Sequence, residues 1–296
     1  MEPTGKVLGA TIRGIDLSTP LSERDLCAIV AALARHGVIC FPEQNLDAVD
    51  LRAFALQLGP VQTSEGPKEP SVPEISVLSN IVEDGRNIGA VDAGMIWHKD
   101  MTYQKDMGWA TMLYAIEIPR RDGRSLGATR FANAMAAYDD LPDERKAKLK
   151  NAIGIHNSVM YNAKTREAGS KRAAYSEEKI KKKEPLPHPM VFTHPISGRT
   201  VLYCDPGHVE RIDGLDDGEG AEMLQFLTEH QLQPQYQYAH EWTEGDVLMW
   251  DNISTLHCAT LDYGPNEHRL MKRCQVVTPQ GFDPRLVREA LQATGV

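Results

Sequence analysis

The sequence predicts a mainly β protein with flanking helices, a β-sandwich or jelly roll, with a double-stranded β-helix (jelly roll) core as the expected form. Three observations carry that reading. Short apolar runs bounded by Gly, Pro, Asn or Asp outnumber helical patterns along the chain. The helical patterns gather near the start and in later insertions, outside the run of strands. No internal repeat and no linker interrupts the sequence, so residues 1–296 read as a single domain.

Taken in order, Ser22 and Asp25 form an N-terminal capping pair for a helix whose Leu26, Ile29, Val30 and Leu33 share one face and which ends before Gly37. Val38 to Phe41 then reads as a buried strand. Asp47 opens a second helix through Leu51, Phe54, Ala55 and Leu58, closed by Gly59 and Pro60. Glu74 to Ile81 alternates as a strand does, Asp84-Gly85 offers a turn, and Ala110 to Ile118 is a further strand. Between Asp139 and Ile153, the Asp140-Leu141-Pro142 start suits a helix with the proline in its first turn. Met190 to Thr193 and Thr200 to Cys204 read as a hairpin across Pro195 to Gly198. Residues 217 to 232 form a helix presenting Met223, Leu224, Leu227 and Leu232, and Val247 to Trp250 and Lys272 to Val277 complete the strands.

Composition narrows the function classes. The formal charge of -9 argues against a nucleic-acid or membrane-surface partner, because a phosphate-binding protein needs a basic face. No apolar run is long enough to span a bilayer, and the N-terminus lacks a basic segment followed by an apolar stretch. The five cysteines, Cys27, Cys40, Cys204, Cys258 and Cys274, show no CxxC spacing and read as reduced thiols of a soluble cytoplasmic protein. One stretch departs from the acidic background. Residues 162–189 hold Lys164, Arg166, Lys171, Arg172, Lys179, Lys181, Lys182 and Lys183 before Pro185, Pro187 and Pro189. A basic, proline-ended segment of this length is a solvated or disordered loop, or a lid-like insertion that draws an anionic substrate to a site.

The chemistry rests on His98-Lys99-Asp100, preceded by Trp97 and answered near the far end by His257. Two imidazoles and one carboxylate are the ligand set of a non-heme Fe(II) centre that keeps positions open for oxygen chemistry. On an extended segment His98 and Asp100 point to the same side and can grip one ion from the end of a strand. A Cys258–His257 nucleophilic pair is disfavoured because adjacent strand residues face opposite ways. Asp205 and His208 sit either near the pocket mouth or on a solvated loop. Trp97, Tyr103, Trp109 and Trp250 line an aromatic pocket or belong to the core.

In these features the chain resembles the taurine and 2,4-dichlorophenoxyacetate dioxygenases, which depend on Fe(II) and 2-oxoglutarate. The resemblance runs through Gly14-Ile15-Asp16-Leu17, Phe41-Pro42, Leu58-Gly59-Pro60, Trp97-His98-x-Asp100, Ala136-Ala137-Tyr138, Thr193-His194-Pro195, Gly245-Asp246, Trp250-Asp251-Asn252, His257, Arg269 and Arg273. It implies Fe(II) on His98, Asp100 and His257. It also implies a salt bridge from Arg269 to the distal carboxylate of 2-oxoglutarate, supported by Thr129, with Arg273 on the anionic group of the primary substrate. A guanidinium fork matches a carboxylate bidentately, which suits both arginines. The family's Gly-Gly-Asp-Thr turn stands here as Leu126-Gly127-Ala128-Thr129, which keeps the threonine and alters the turn that positions it.

The activity so implied consumes O2 and 2-oxoglutarate, yields succinate and CO2, and hydroxylates a small anionic organic molecule. An aryloxyalkanoate cleaved at its ether is the first candidate, and a sulfonate or alkyl sulfate the alternative. Two other readings use the same residues: a non-catalytic jelly-roll protein that binds metal for structure or sensing, and a zinc hydrolase with one metal-bound water. The resemblance further implies a homo-oligomer, dimer or tetramer.

Overall fold

Both faces of one large sheet are covered, which is why its strands read as continuous apolar runs rather than clean alternations. The computed structural model describes residues 1–63, 65–105, 107–278 and 292. Its eight-stranded sheet has the order Glu2–Pro3, Ala10–Thr11, Val38–Phe41, Val247–Asp251, Gly108–Glu117, Leu270–Val277, Val72–Ser79 and Lys68–Glu69. Ile39, Phe41, Met112, Tyr114 and Met249 pack with Ile29, Leu33, Leu51 and Phe54 of the two N-terminal helices. The alternate residues Val38, Cys40, Leu113, Leu248 and Trp250 turn to the other side and pack with Phe131 and Trp242.

Phe131 belongs to the opposing layer, a three-stranded sheet ordered Gln237–His240, Thr129–Asn133, Thr255–Ala259. Its ring meets Trp250 of the large sheet edge-on at 5.5 Å, closing the jelly roll. A second three-stranded sheet, Leu186–Pro189, Ile153–His156 and Val209–Asp213, and the hairpin Val191–Thr193/Thr200–Leu202 extend the fold beyond it. There Leu149, Met190, Leu202 and Ile212 bury Met223 and Leu227 of the helix Asp217–Gln231 in a separate apolar cluster.

The helix ends follow their capping residues. Ser22 accepts from the Asp25 amide at 3.1 Å and starts Glu23–His36, while Gly37, at φ +68°, returns its N–H to Leu33. Asp47 and Asp50 form a reciprocal capping box at the head of Ala48–Leu58. Such caps contribute about 1 kcal/mol each. Asp84 and Gly85, both at positive φ, make the tight turn between Val82–Glu83 and Arg86–Asn87.

Three expectations change. The strand placed at 74–81 spans Val72–Ser79. Pro142 stands at the N-cap of Asp143–Leu149 rather than in its first turn, because Asn133 caps a separate short helix, Ala134–Asp139, and residues 140–142 connect the two. Residues 162–189 are not an irregular loop. Asn157 caps the helix Ser158–Glu167, Ser176 caps Glu177–Lys181, and Leu186–Pro189 is the edge of its sheet, where a proline's missing N–H is tolerated. Among the described residues no helix is long and apolar enough to cross a membrane. The single-domain expectation for 1–296 extends past the described residues at its C-terminal end.

Candidate metal centre

His98 and His257 meet through their main chains. The His98 N–H donates to the His257 carbonyl at 3.0 Å and the His257 N–H donates back at 2.8 Å, an isolated antiparallel bridge. His257 stands in the strand Thr255–Ala259, register-paired with Phe131. His98 is therefore not at the end of a regular strand, as its spacing suggested. It lies in a loop pinned at one point, and the chain turns at Asp100 and reverses through Met101 at φ +62°.

The turn brings the ligand atoms of His98, Asp100 and His257 all within 4.8 Å of one another, all three residues buried. His98 Nε2 lies 3.5 Å from Asp100 Oδ1, and His257 Nε2 lies 3.7 Å from Oδ2. The His98 Nδ1–H donates to the Ile96 carbonyl at 2.8 Å, which directs Nε2 toward the Asp100 carboxylate. The Thr111 hydroxyl donates to Asp100 Oδ2 at 2.8 Å and is itself held by Asn252 at 2.9 Å. Burial raises the Asp100 carboxyl, yet the His257 and His98 imidazoles and Arg273 outweigh it and hold the group well below the usual carboxylate range. Burial, the neighbouring His98 and Arg273 push His257 down to about 3, against the opposing pull of Asp100. Burial also depresses His98, but its hydrogen bond to Asp100 wins and leaves it raised. A buried set of two nitrogens and one carboxylate, oriented from outside, fits a divalent cation of the Fe(II) type.

Arginines flank the triad. Arg269 and Arg273 share the inward side of the last strand of the large sheet and its approach, and both line a narrow pocket with His98, Thr129, Trp250 and His257. The Nε atoms of both are buried without a hydrogen-bond partner, while the Arg269 guanidinium also bonds to Tyr263. Thr129 Oγ accepts from Trp242 Nε1 at 3.1 Å, leaving its own hydrogen free to donate. Gly127, at φ +72°, is the residue of the altered turn that lets Arg269 pass. On the other side of the triad a cavity of about 530 Å³ is lined by His98, Asp100, Tyr103, Tyr161, His208 and Arg273. Lys171, Arg172, Lys179 and Lys183 of the basic segment also line it; Lys179 and Lys183 lie 3.6 and 3.8 Å from Glu65.

Several neighbours were poorly legible. Asp205 and His208 are not on a solvated loop: both are buried, with the His208 Nδ1–H donating to Asp205 at 2.7 Å. The His208 ring is held between Tyr161 at 4.3 Å and Tyr103 at 5.0 Å. Trp250 packs on His257 at 4.8 Å, Trp109 belongs to the core, and Trp97 carries the Arg130 guanidinium over its face. Cys258 bonds to the Met95 carbonyl, away from any role with His257. Lys99, between two of the candidate ligands, is entirely buried, and burial brings its ammonium down to about 8 against the charges of Asp205 and Asp251. A second group of metal-binding residue types, Cys40, His240 and Asp246, forms an internally hydrogen-bonded cluster that the sequence did not suggest.

Comparison with known proteins gives a consistent result. The profile of the taurine catabolism dioxygenase TauD, TfdA family matches residues 1–275. The (S)-phenoxypropionate/alpha-ketoglutarate-dioxygenase of Delftia acidovorans is 31% identical over 271 residues, covering 87% of this chain and 88% of that protein. An alkylsulfatase of Acinetobacter baylyi is 32% identical over 281 residues, covering 91% of this chain and 82% of that protein. Among solved structures, AAD-2 in complex with Mn(II) and N-oxalylglycine superposes with a TM-score of 0.77 at 27% identity, covering 93% of this chain and 97% of that one.

Proposed function

The chain belongs to the TauD/TfdA family of Fe(II)- and 2-oxoglutarate-dependent dioxygenases, and on that premise we propose that it hydroxylates a small organic anion, with an aryloxyalkanoate as first candidate. Membership sets aside the non-catalytic and the zinc-hydrolase readings of the same residues. In this proposal His98, Asp100 and His257 hold Fe(II), Arg269 and Thr129 hold the distal carboxylate of 2-oxoglutarate, and Arg273 meets the anion of the primary substrate. When bound, the metal and cosubstrate supply the oxidising power, consuming O2 and releasing succinate and CO2.

The observation that carries the reading is the pair of buried guanidinium Nε atoms without partners, Arg269 in the narrow pocket and Arg273 where that pocket meets the large cavity. Two unsatisfied cationic donors on either flank of one triad suit two anions bound side by side. The protein's own contribution is placement. Thr111 and Ile96 orient the ligands, Trp250 and Phe131 close the space behind His257, and Tyr103, Tyr161 and His208 give the cavity an aromatic wall. Hydroxylation at a carbon bearing an aryloxy group yields a hemiacetal that collapses to a phenol and a carbonyl compound, which gives ether cleavage without a further catalytic group.

The likeness to an alkylsulfatase supports an alkyl sulfate or sulfonate as the second substrate class, since a guanidinium accepts either anion. Succinate formation from 2-oxoglutarate across a panel of aryloxyalkanoates, alkyl sulfates and alkylsulfonates separates the two. Stimulation by one class, absent in His98→Ala, names the substrate class. No stimulation by any member defeats the small-anion reading.

A further inference from the structure

The residue between two of the three candidate ligands is a fully buried lysine. Burying an ammonium is costly unless its donors are taken up. Lys99 Nζ donates to the Ile253 carbonyl at 2.9 Å and to the Thr255 carbonyl at 3.1 Å, and it lies 5.4 Å from the centre of the Tyr203 ring. Ile253 lies in the connection between Val247–Asp251 and Thr255–Ala259, and Thr255 opens the latter, the strand that carries His257.

That connection is itself rigid. Asp251 Oδ1 accepts from the Ile253 and Ser254 amides at 2.8 and 2.9 Å, the Thr255 hydroxyl donates to the Asp251 carbonyl at 2.6 Å, and His194 holds the other Asp251 oxygen at 2.8 Å. The segment leading into the loop 98–100 meets the His257 strand through the two main-chain bonds of the His98 bridge and, four residues earlier, through the Ala259 N–H donating to the Gly94 carbonyl at 2.8 Å. The bridge itself pairs His98 with His257 and includes neither Lys99 nor Asp100. The Lys99 side chain adds a further point two to four residues before His257, on the same strand and its turn.

We propose that Lys99 is a positioning residue for the metal centre: its ammonium, bonded to the Ile253 and Thr255 carbonyls, fixes the His98–Asp100 loop against the strand that carries His257. The proposal rests on the assignment of His98, Asp100 and His257 as ligands. It differs from a purely structural role in what it makes Lys99 responsible for, namely the spacing of ligands from two separate segments. Groups that orient metal ligands from behind change metal affinity by about 10- to 100-fold.

The test uses the full chain without metal, titrated with Co(II) by equilibrium dialysis, as wild type, Lys99→Met, Lys99→Gln and His98→Ala. Lys99→Met keeps the stem and removes every donor, while Lys99→Gln retains a shorter one. The expected result is metal-free unfolding midpoints close to wild type, a Co(II) dissociation constant raised at least tenfold in Lys99→Met and less in Lys99→Gln, and altered visible absorption of the Co(II)-saturated Lys99→Met protein. Wild-type affinity and spectrum in whichever lysine variant folds overturn the proposal, as does failure of both to fold, which assigns Lys99 to the fold. Co(II) binding by His98→Ala at wild-type strength defeats the ligand assignment beneath it. Loss in His98→Ala with wild-type binding in Lys99→Met defeats the positioning role alone.

Discussion

Gly127 stands where a side chain would strike Arg269: a β-carbon there would lie 3.1 Å from Arg269 Nε and 3.1 Å from the Tyr263 ring. The residue also holds φ +72°, a conformation that L side chains rarely adopt. The altered turn before Thr129 thus has a defined task, leaving room for a buried guanidinium. We expect Gly127→Ala to cost about 1 kcal/mol of stability from the backbone alone. It should also raise the KM for 2-oxoglutarate several-fold while leaving metal affinity near wild type. Calorimetric titration of 2-oxoglutarate into the metal-loaded variant checks this, and unchanged affinity would show that Arg269 does not depend on the turn.

The two arginines should separate in kinetics. Arg269→Met is expected to weaken 2-oxoglutarate binding by roughly 2–5 kcal/mol, the range for stranding a desolvated partner charge. Arg273→Met should raise the KM for the primary substrate with a smaller effect on 2-oxoglutarate. Steady-state kinetics in which each cosubstrate is varied in turn reads both effects, and an equal response of the two constants in both variants would refute the division of labour.

The capped helices were legible because Ser22, Asp47 and their partners are local signals, readable without knowing the fold. The candidate metal-binding triad was legible in composition and spacing, but not the route by which it assembles. Thr255–Ala259 and Thr129–Asn133 carry His257 and Thr129, yet neither was read as a strand, since runs of five residues are too short to give a period to count. The strand attributed to His98 proved to be one bridge, because alternation reports side-chain direction and not hydrogen bonding. Asp205 and His208 sit among Pro206 and Gly207, a composition that reads as exposed loop. Both are buried, and the Asp205 carboxylate accepts from the hydroxyl of Thr102, 103 residues away. Lys99 was illegible for the same reason, its partners lying 154 and 156 residues on.

Metal affinity should fall with pH. In the metal-free protein burial depresses His98, but its hydrogen bond to Asp100 prevails and raises its pKa, so it retains a proton to higher pH than an ordinary histidine. A cation must displace that proton to gain the lone pair. The logarithm of the Mn(II) association constant is therefore expected to drop toward one unit per pH unit as pH falls below the raised histidine value. A constant independent of pH from 5 to 8, the range in which histidines titrate, would contradict ligation by His98.

Folding stability should carry a separate acid sensitivity from His156. The ring is fully buried, neither nitrogen has a hydrogen-bond partner, and burial, with His188 and His208 beside it, pushes its pKa down to about 3 despite the pull of Asp205. The unfolded chain protonates this histidine near its ordinary value of about 6.5. Between those two values the unfolded state binds a proton that the folded state does not, so stability is retained above about 6.5 and lost as pH falls toward 3. One such proton corresponds to about 1.4 kcal/mol per pH unit. His156→Phe keeps an aromatic ring against His188 and Tyr203 and removes the titration. Denaturant unfolding of the metal-free protein between pH 7 and 4.5 should accordingly show a shallower loss in the variant than in wild type, by up to that slope. Parallel curves would mean that His156 accepts its proton inside the fold.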